Sequence, residues 1–440
     1  MASITYPELF SWAVIENLDD LERFRLILEN LPDEKLMQTL EEERANGRDD
    51  YPVRPLWNSI LTAVVCEHRS IESLRRELKR NGELRGMCGF DPFAGAGAVP
   101  PAWVYSRFLA KLQEAEYIKL VKEVFETLVQ QCYKELPGFG KELGADGKAI
   151  HSFAQKPGNN PGDSRGEHDA DWGKHEHFHQ KENGEVVKNV KNWFGFTVHL
   201  VADTNYELPV AFEVTKASRH EGTVLHEMLN SISSNNIKIL DTCRVFTADR
   251  GYDDTKLIEK LWQTHAIKPV IDNRNLWKDP DKTKQVPGCE NAVYDYKGTV
   301  SCICPKSGKM REMTSGEFEK GRETLKFRCP AKYYGYSCEG ASECKVKKSI
   351  RITRKTDLRI FTPISRASRK WKNLYKKRTA VERINSRLDV SFGFEQHTIR
   401  GQDKMTIRLS IGFAVMLSIA LGRARENNSK LMRSLVRPAA

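Results

Sequence analysis

The chain has 440 residues, 40% hydrophobic and 29% charged, a balance that excludes a fibrous, disordered or miniature protein and predicts two or three domains around at least one large core. Its net charge of +11 is local: Lys345 to Arg378 holds fourteen basic residues against the single acid Asp357, whereas the first fifty residues hold thirteen acids against five bases. The basic stretch suits a polyanionic partner and the acidic segment does not. No basic region followed by an apolar core opens the sequence, and the longest apolar run, Ile407 to Leu421, is 15 residues, short of the ~20 that cross a bilayer. These features predict a cytoplasmic protein with a buried C-terminal helix and no membrane contact. Ten cysteines in such a chain point to thiols or a metal site rather than a disulfide framework.

Residues 5 to 45 carry helical apolar spacing, interrupted at Pro32. From Pro55 the pattern is a compact helical unit: a helix from Pro55 to His68, a second capped by Ser70 with Ile71, Leu74 and Leu78 on one face, and a third from Pro101 through WVYSRFLAKLQEAEYIKLVKEVFETLV. Arg75 and Arg76 on the second and Arg107 and Lys111 on the third are candidate DNA contacts, with an ordinary solvated helix face as the alternative. Beyond Gly138 the period becomes alternating. KELGADGKAIHSF, WFGFTVHLVAD, LPVAFEVTKAS and CRVFTAD read as four strands, followed by a helix near Asp254 to His265 and a strand KPVID. This predicts an α/β domain with a mixed sheet. Residues 155–190 read as a loop rich in Gly, Asp and His, and residues 273–350 as an insertion. DLRIFTPI then resumes the core, followed by a long helix about Arg369 to Leu388 and the apolar C-terminal helix.

Three carboxylates stand where chemistry is served. Asp146 lies on the first strand in GADGKAI; Asp249 closes the fourth strand in VFTADRGYDD, the end at which open α/β sheets bind ligands. Glu382 edges the apolar stripe of RKWKNLYKKRTAVERINSRL, with Arg378 and Tyr375 four and seven residues before it on the same face. A surface ion pair with Arg378 is the bland account of Glu382. Asp203, Asp253 and Asp254 read as turn and helix-start residues, and His220 with Glu221 as structural. His168, His175, His177 and His179 read as a polar loop, with transition-metal binding as the lesser alternative.

The order of helical unit, alternating strands, ADGK, ADRGYD, insertion and YKKRTAVERINSRL resembles the DDE transposases of bacterial insertion sequences, from about Pro55 to about Glu426. Their third acid lies in a pattern of Tyr, two residues, Arg, three residues, Glu, six residues, Lys. Tyr375, Arg378 and Glu382 match it, and Asp389 stands where the pattern has Lys. The resemblance implies an RNase H-like catalytic domain at 138–425, broken by the insertion at 273–350. Before it come an acidic helical segment at 1–50 and a helical DNA-binding-like domain at 51–137, and after it a polar tail at 426–440. It also implies a transposase that cleaves transposon ends and joins 3′-hydroxyls to target DNA, with two Mg²⁺ (or Mn²⁺) ions on Asp146, Asp249 and Glu382. Arg378 would then orient Glu382 or meet phosphate charge, with Tyr375 a polar or stacking contact. The expected partner is double-stranded DNA, both terminal repeats and target, bound by a homo-oligomer. The alternatives are an RNase H-like nuclease or resolvase that never joins, and an inactive DNA-binding relic.

Arg369, Lys370, Lys372, Lys376 and Lys377, leading into the Glu382 helix, are further candidate DNA contacts. Cys302, Cys304, Cys329, Cys338 and Cys344 crowd into the insertion, with few large apolar residues around them. The spacing predicts either a structural Zn²⁺ held by four of the five or free thiols in a β-rich insertion.

Overall fold

The computed structural model describes residues 19–44, 50–158, 165–180, 186–235, 238–277 and 282–433, with the backbone alone for 19, 177–180 and 186. The first eighteen residues and the tail beyond 433 lie outside the described residues.

Helices α1 (Asp19–Asn30) and α2 (Glu34–Arg44) are separated at Pro32, where the missing N–H ends a helix as expected. Helix α3 (Val53–Val65) is buried along nearly its whole length. Helix α4 (Ile71–Arg80) starts at Ser70, whose hydroxyl accepts from Ser73 N while Ser73 Oγ accepts from Ser70 N. A short α5 (Gly82–Cys88) follows, unforeseen because it is only seven residues long. The predicted third helix is two, α6 (Ala102–Lys111) and α7 (Ala115–Glu135), broken at Leu112–Glu114.

The sheet begins with β1 (Glu142–His151), β2 (Asp171–Gln180), β3 (Val186–Asp203) and β4 (Leu208–Lys216), and continues after α8 (Glu221–Ser234) with β5 (Val245–Ala248), α9 (Thr255–Glu259) and β6 (Lys268–Ile271). The order is β2-β3-β1-β5-β6, with β4 also on β3. β1, β3 and β4 are antiparallel, while β5 and β6 run parallel to β1. Three antiparallel strands followed by two parallel ones give the mixed sheet of an RNase H-like domain. The expected loop at 155–190 is corrected in part: KHEHFHQ belongs to β2, which pairs with the first half of β3 from Asp171↔Gly195 to Gln180↔Val186. Its side-chain alternation is a strand pattern that the His and Gly content obscured.

The insertion folds as two small antiparallel sheets, β7 (Lys284–Val286), β8 (Cys289–Tyr294), β9 (Val300–Ile303) and β10 (Met310–Glu312), then β11 (Thr314–Glu319), β12 (Thr324–Arg328) and β13 (Ser349–Thr353). They enclose a core of their own that includes Tyr294, Leu325, Phe327, Ile352 and Phe361. DLRIFTPI, where the core was expected to resume, is a run of turns and bends with Ile360, Phe361 and Ile364 buried.

The predicted long helix is α10 (Arg369–Lys376) and α11 (Thr379–Ser391). At the join the chain tightens, with Arg378 N bonding Tyr375 O and Val381 N bonding Arg378 O. Helix α12 (Gln402–Arg425) is long and apolar enough to cross a membrane, and its residues from Leu409 to Arg423 are buried inside the protein. One apolar core runs from Leu21 through the sheet to Met432. The helical segment expected as a separate domain at 51–137 shares the core of the sheet, because α3 and α7 both pack on α12.

Candidate active site

Ala145 and Ala248 are partners on the parallel strands β1 and β5. The next residue on each strand is an acid, Asp146 and Asp249, so the two stand side by side at the carboxyl end of β5. Asp249 also starts the following turn, its Oδ1 accepting from Gly251 N at 2.7 Å. Gly144, two residues before Asp146 and on its face, admits α11: a Cβ there would sit 3.2 Å from Val381 Cγ2 and 2.9 Å from Thr247 Oγ1. That approach delivers Glu382 and Arg378 to the acids. One Arg378 nitrogen lies 2.6 Å from Glu382 Oε1 and another 3.5 Å from Asp146 Oδ2. Burial pushes the Asp146 carboxyl up to about 6; Arg378 opposes the rise, and the charges of Asp249 and Glu382 add to it. Asp146 and Asp249 thus stand side by side and Glu382 is linked to Asp146 through Arg378, while among the described residues no three acids close on one point.

A fourth acid joins them. Glu221, the first residue of α8, has Oε1 2.5 Å from where a Cβ on Gly147 would be and Oε2 2.6 Å from one on Gly251. Burial pushes its carboxyl up to about 7, with Asp249 and Asp146 adding. Glu221, read from sequence as structural, is thus placed beside the acids, and its neighbour His220 caps α8, accepting from Gly222 N. The readable signal was a glycine after each strand acid, in ADG and ADRG, leaving room for another side chain.

Tyr375 stacks on Trp371 with ring centroids 4.9 Å apart and lies under Arg378. Asp389 pairs with Lys148 of β1, two residues beyond Asp146 on the same face. Arg387, by contrast, is turned to Glu207. Asp203, Asp253 and Asp254 serve structure: Asp203 accepts from the amides of Gly140, Asn205 and Tyr206, Asp253 holds Arg359, and Asp254 caps α9.

Among the candidate DNA contacts, Arg369, Lys370, Lys372 and Lys376 are exposed and join no ion pair among the described residues. Lys377 is taken by Glu142 at 2.6 Å. On the helical unit Arg76 is exposed, Arg107 lies over Trp103, Arg75 is held by Glu72 and Pro100 O, and Lys111 by Glu43 and Glu114.

All ten cysteines are free thiols. Cys304 and Cys338 meet at 3.9 Å, while Cys329 is buried in the insertion core and Cys302 and Cys344 pack against it. Among the described residues no three Cys, His, Asp or Glu side chains close on one point as a ready coordination sphere. The expectation of zinc rested on an insertion too poor in apolar residues to hold itself; the aromatic and aliphatic core of the two sheets removes that premise. The side chains of His177 and His179 lie outside the described residues.

The family model of the transposase DDE domain matches residues 164–418, more than half of the chain, and the chain belongs to that family. The match takes in Asp249, Glu221 and Glu382 and begins after the strand that carries Asp146. Among curated proteins none matches. Among solved structures, the cryo-EM structure of a piggyBac transposase synaptic complex with hairpin DNA aligns with 98% of this chain and 88% of that one, at 13% identity and a TM-score of 0.30, too low for any argument to rest on it. The chain is a DDE transposase, an enzyme class that cuts and joins DNA.

Proposed function

We propose that this transposase cleaves the ends of its element and joins the 3′-hydroxyls to target DNA, with Asp146, Asp249 and Glu382 holding two divalent cations. The observation that carries the reading is the registered pair Asp146 and Asp249, with Glu382 tethered beside it through Arg378. The donor set fits Mg²⁺ or Mn²⁺, being all oxygen and drawn from three distant segments. Arg378 lies between two of the acids, so a positive charge already occupies the place that carboxylates in this arrangement call for. Such cations activate water or a 3′-hydroxyl and stabilise the departing oxygen.

The protein's own groups do the rest. Asp146, level with the end of β5, faces both neighbours; Asp249 and Glu382 flank it. Arg378 positions Glu382 and is free to meet a non-bridging phosphate oxygen once the acids bind cations. Glu221 adds a fourth carboxylate behind Asp249. Tyr375, held flat on Trp371, keeps the Arg378 guanidinium over the acids. The cations Arg369, Lys370, Lys372 and Lys376 on α10 lead DNA toward this point. A homo-oligomer on DNA, and action on the cell's own cytoplasmic DNA, belong to the same reading.

The test uses duplexes from the DNA flanking the coding sequence, with Mg²⁺, and follows nicking and strand joining. Joined product supports the reading; metal-dependent nicking that never gives joined product favours a nuclease; binding without nicking favours a relic.

A further inference from the structure

A cleft of about 400 Å³ opens between the helical unit and the end of the catalytic domain. Its walls come from α3, α4 and α6 on one side and from Phe392 through Ile411 on the other. Every ionisable side chain that lines it is basic: Arg69, Arg400, Lys404 and Arg408, with His68 and His397. Burial holds both histidines below their ordinary range, so the charge comes from the four long side chains.

Arg408, on the second turn of α12, is the singular member. It makes no hydrogen bond, ion pair or ring contact among the described residues, and burial with no acid to offset it pushes its pKa down to about 10. Each of the other desolvated arginines has at least one acceptor: Arg354 has Glu323, Arg366 the carbonyls of Ile271 and Arg359, Arg387 has Glu207, and Arg85 the carbonyls of Leu78 and Pro92. Half-buried on the cleft wall and without a protein partner among the described residues, this guanidinium is left for an anion from outside to meet. Lys404 likewise joins no ion pair among the described residues, and Arg400 touches only the exposed ring of Phe153. Lys404 and Arg408 lie four residues apart on α12, about 6 Å along one helix face, and Arg400 precedes the helix start on the same cleft wall.

This wall is joined to the catalytic strand. His397 Nε2 lies 3.0 Å from His151 O at the end of β1, and the Arg400–Phe153 pair sits just beyond. From Asp146 to His151 is five strand residues, about 17 Å, which is about five nucleotides at the 3.4 Å rise of one DNA strand.

We propose that this cleft binds the sugar-phosphate backbone of the DNA strand running from the catalytic acids, about five nucleotides from the cut, with Arg408 and Lys404 on successive phosphates. The proposal rests on the transposase reading above and adds a second anchoring site to it.

The test measures binding rather than chemistry, in the Asp146→Asn protein, so that failure of the catalytic reading does not enter. Lys404→Gln and Arg408→Gln should each flatten the slope of log affinity against log salt by about 0.9 for each duplex phosphate no longer neutralised, with Arg408→Lys retaining most of the slope. Methylphosphonate substitution four to six nucleotides from the cut should weaken binding of the parent protein and leave the double variant Lys404→Gln/Arg408→Gln indifferent. The exposed Lys404 separates this effect from any folding defect of Arg408→Gln. Unchanged slopes, interference confined to other positions, or a change in oligomeric state without a change in slope, as an acidic segment of a second copy would give, would each overturn the proposal.

Discussion

Arg378 reaches Asp146 with one nitrogen and Glu382 with another, so these two acids and one base act as a unit, with Asp249 beside Asp146. Asp146→Asn, Asp249→Asn and Glu382→Gln should each bring metal-dependent nicking to background while DNA binding persists. Glu221→Gln should cost about 10–100-fold and raise the metal concentration for half activity, as removal of a supporting carboxylate does; an unaltered metal titration would return Glu221 to a structural role. The three primary acids were legible because each ends or edges an apolar pattern. Glu221 was not read, since the glycines of ADG and ADRG show room for another side chain but only the fold shows that it is the start of α8 that fills it. A second residue-scale consequence comes from His199, buried in β3 with Nε2 2.9 Å from Thr215 Oγ1 and Nδ1 without a partner. Burial, with the Arg219 charge adding, pushes its pKa down to about 4. The unfolded chain takes this proton near pH 6.5 and the folded chain only near 4, so the contribution is present above 6.5 and is lost as pH falls toward 4. Between pH 7 and 5 it amounts to about 2 kcal/mol. His199→Gln should therefore shrink the loss of denaturant stability over that interval, and an unchanged loss would refute the assignment.

At the scale of elements, strand alternation gave β1, β4, β5 and β6 nearly to the residue, whereas β2 was hidden because its alternating residues are His, Glu and Lys rather than apolar. The break between α10 and α11 was hidden for the opposite reason: apolar spacing carries through from Trp371 to Leu388, and only the i−3 bonds at Lys377–Arg378 turn the chain. Gly195 marks the point where β1 and β2 both meet β3, opposite His151 and Asp171. A Cβ there would lie 2.0 Å from Ile150 O, a backbone atom that has nowhere to move without opening the sheet. Gly195→Ala should lower unfolding stability by about 2 kcal/mol or more, read as a drop in denaturant midpoint. Gly97→Ala, with nothing within 4 Å of its added carbon, is the neutral control.

Across the whole molecule, the charge that looked continuous in sequence divides by task once folded. Arg354 is buried against Trp262 and Glu323, Arg359 is held by Asp253, Arg366 caps carbonyls beneath the insertion, Arg351 pairs with Glu319 and Lys345 with Glu290. These cations fasten the insertion to the sheet, and sequence could not separate them from the rest because composition does not report partners. Among the described residues, those of the stretch left exposed without an ion pair are Lys347, Lys348 and Lys355 on the insertion side and Arg369, Lys370, Lys372 and Lys376 on α10, the helix that leads into the Glu382 helix. Glutamine at all four on α10 should flatten the slope of log affinity against log salt by about 0.9 for each phosphate no longer neutralised while leaving the melting temperature near that of the parent. Arg359→Gln should do the reverse, lowering the melting temperature by breaking a buried pair and leaving the slope unchanged. If the two variants behaved alike, either both shifting the slope or both shifting stability, the division of the basic stretch into a DNA-facing helix and an internal clamp would be wrong.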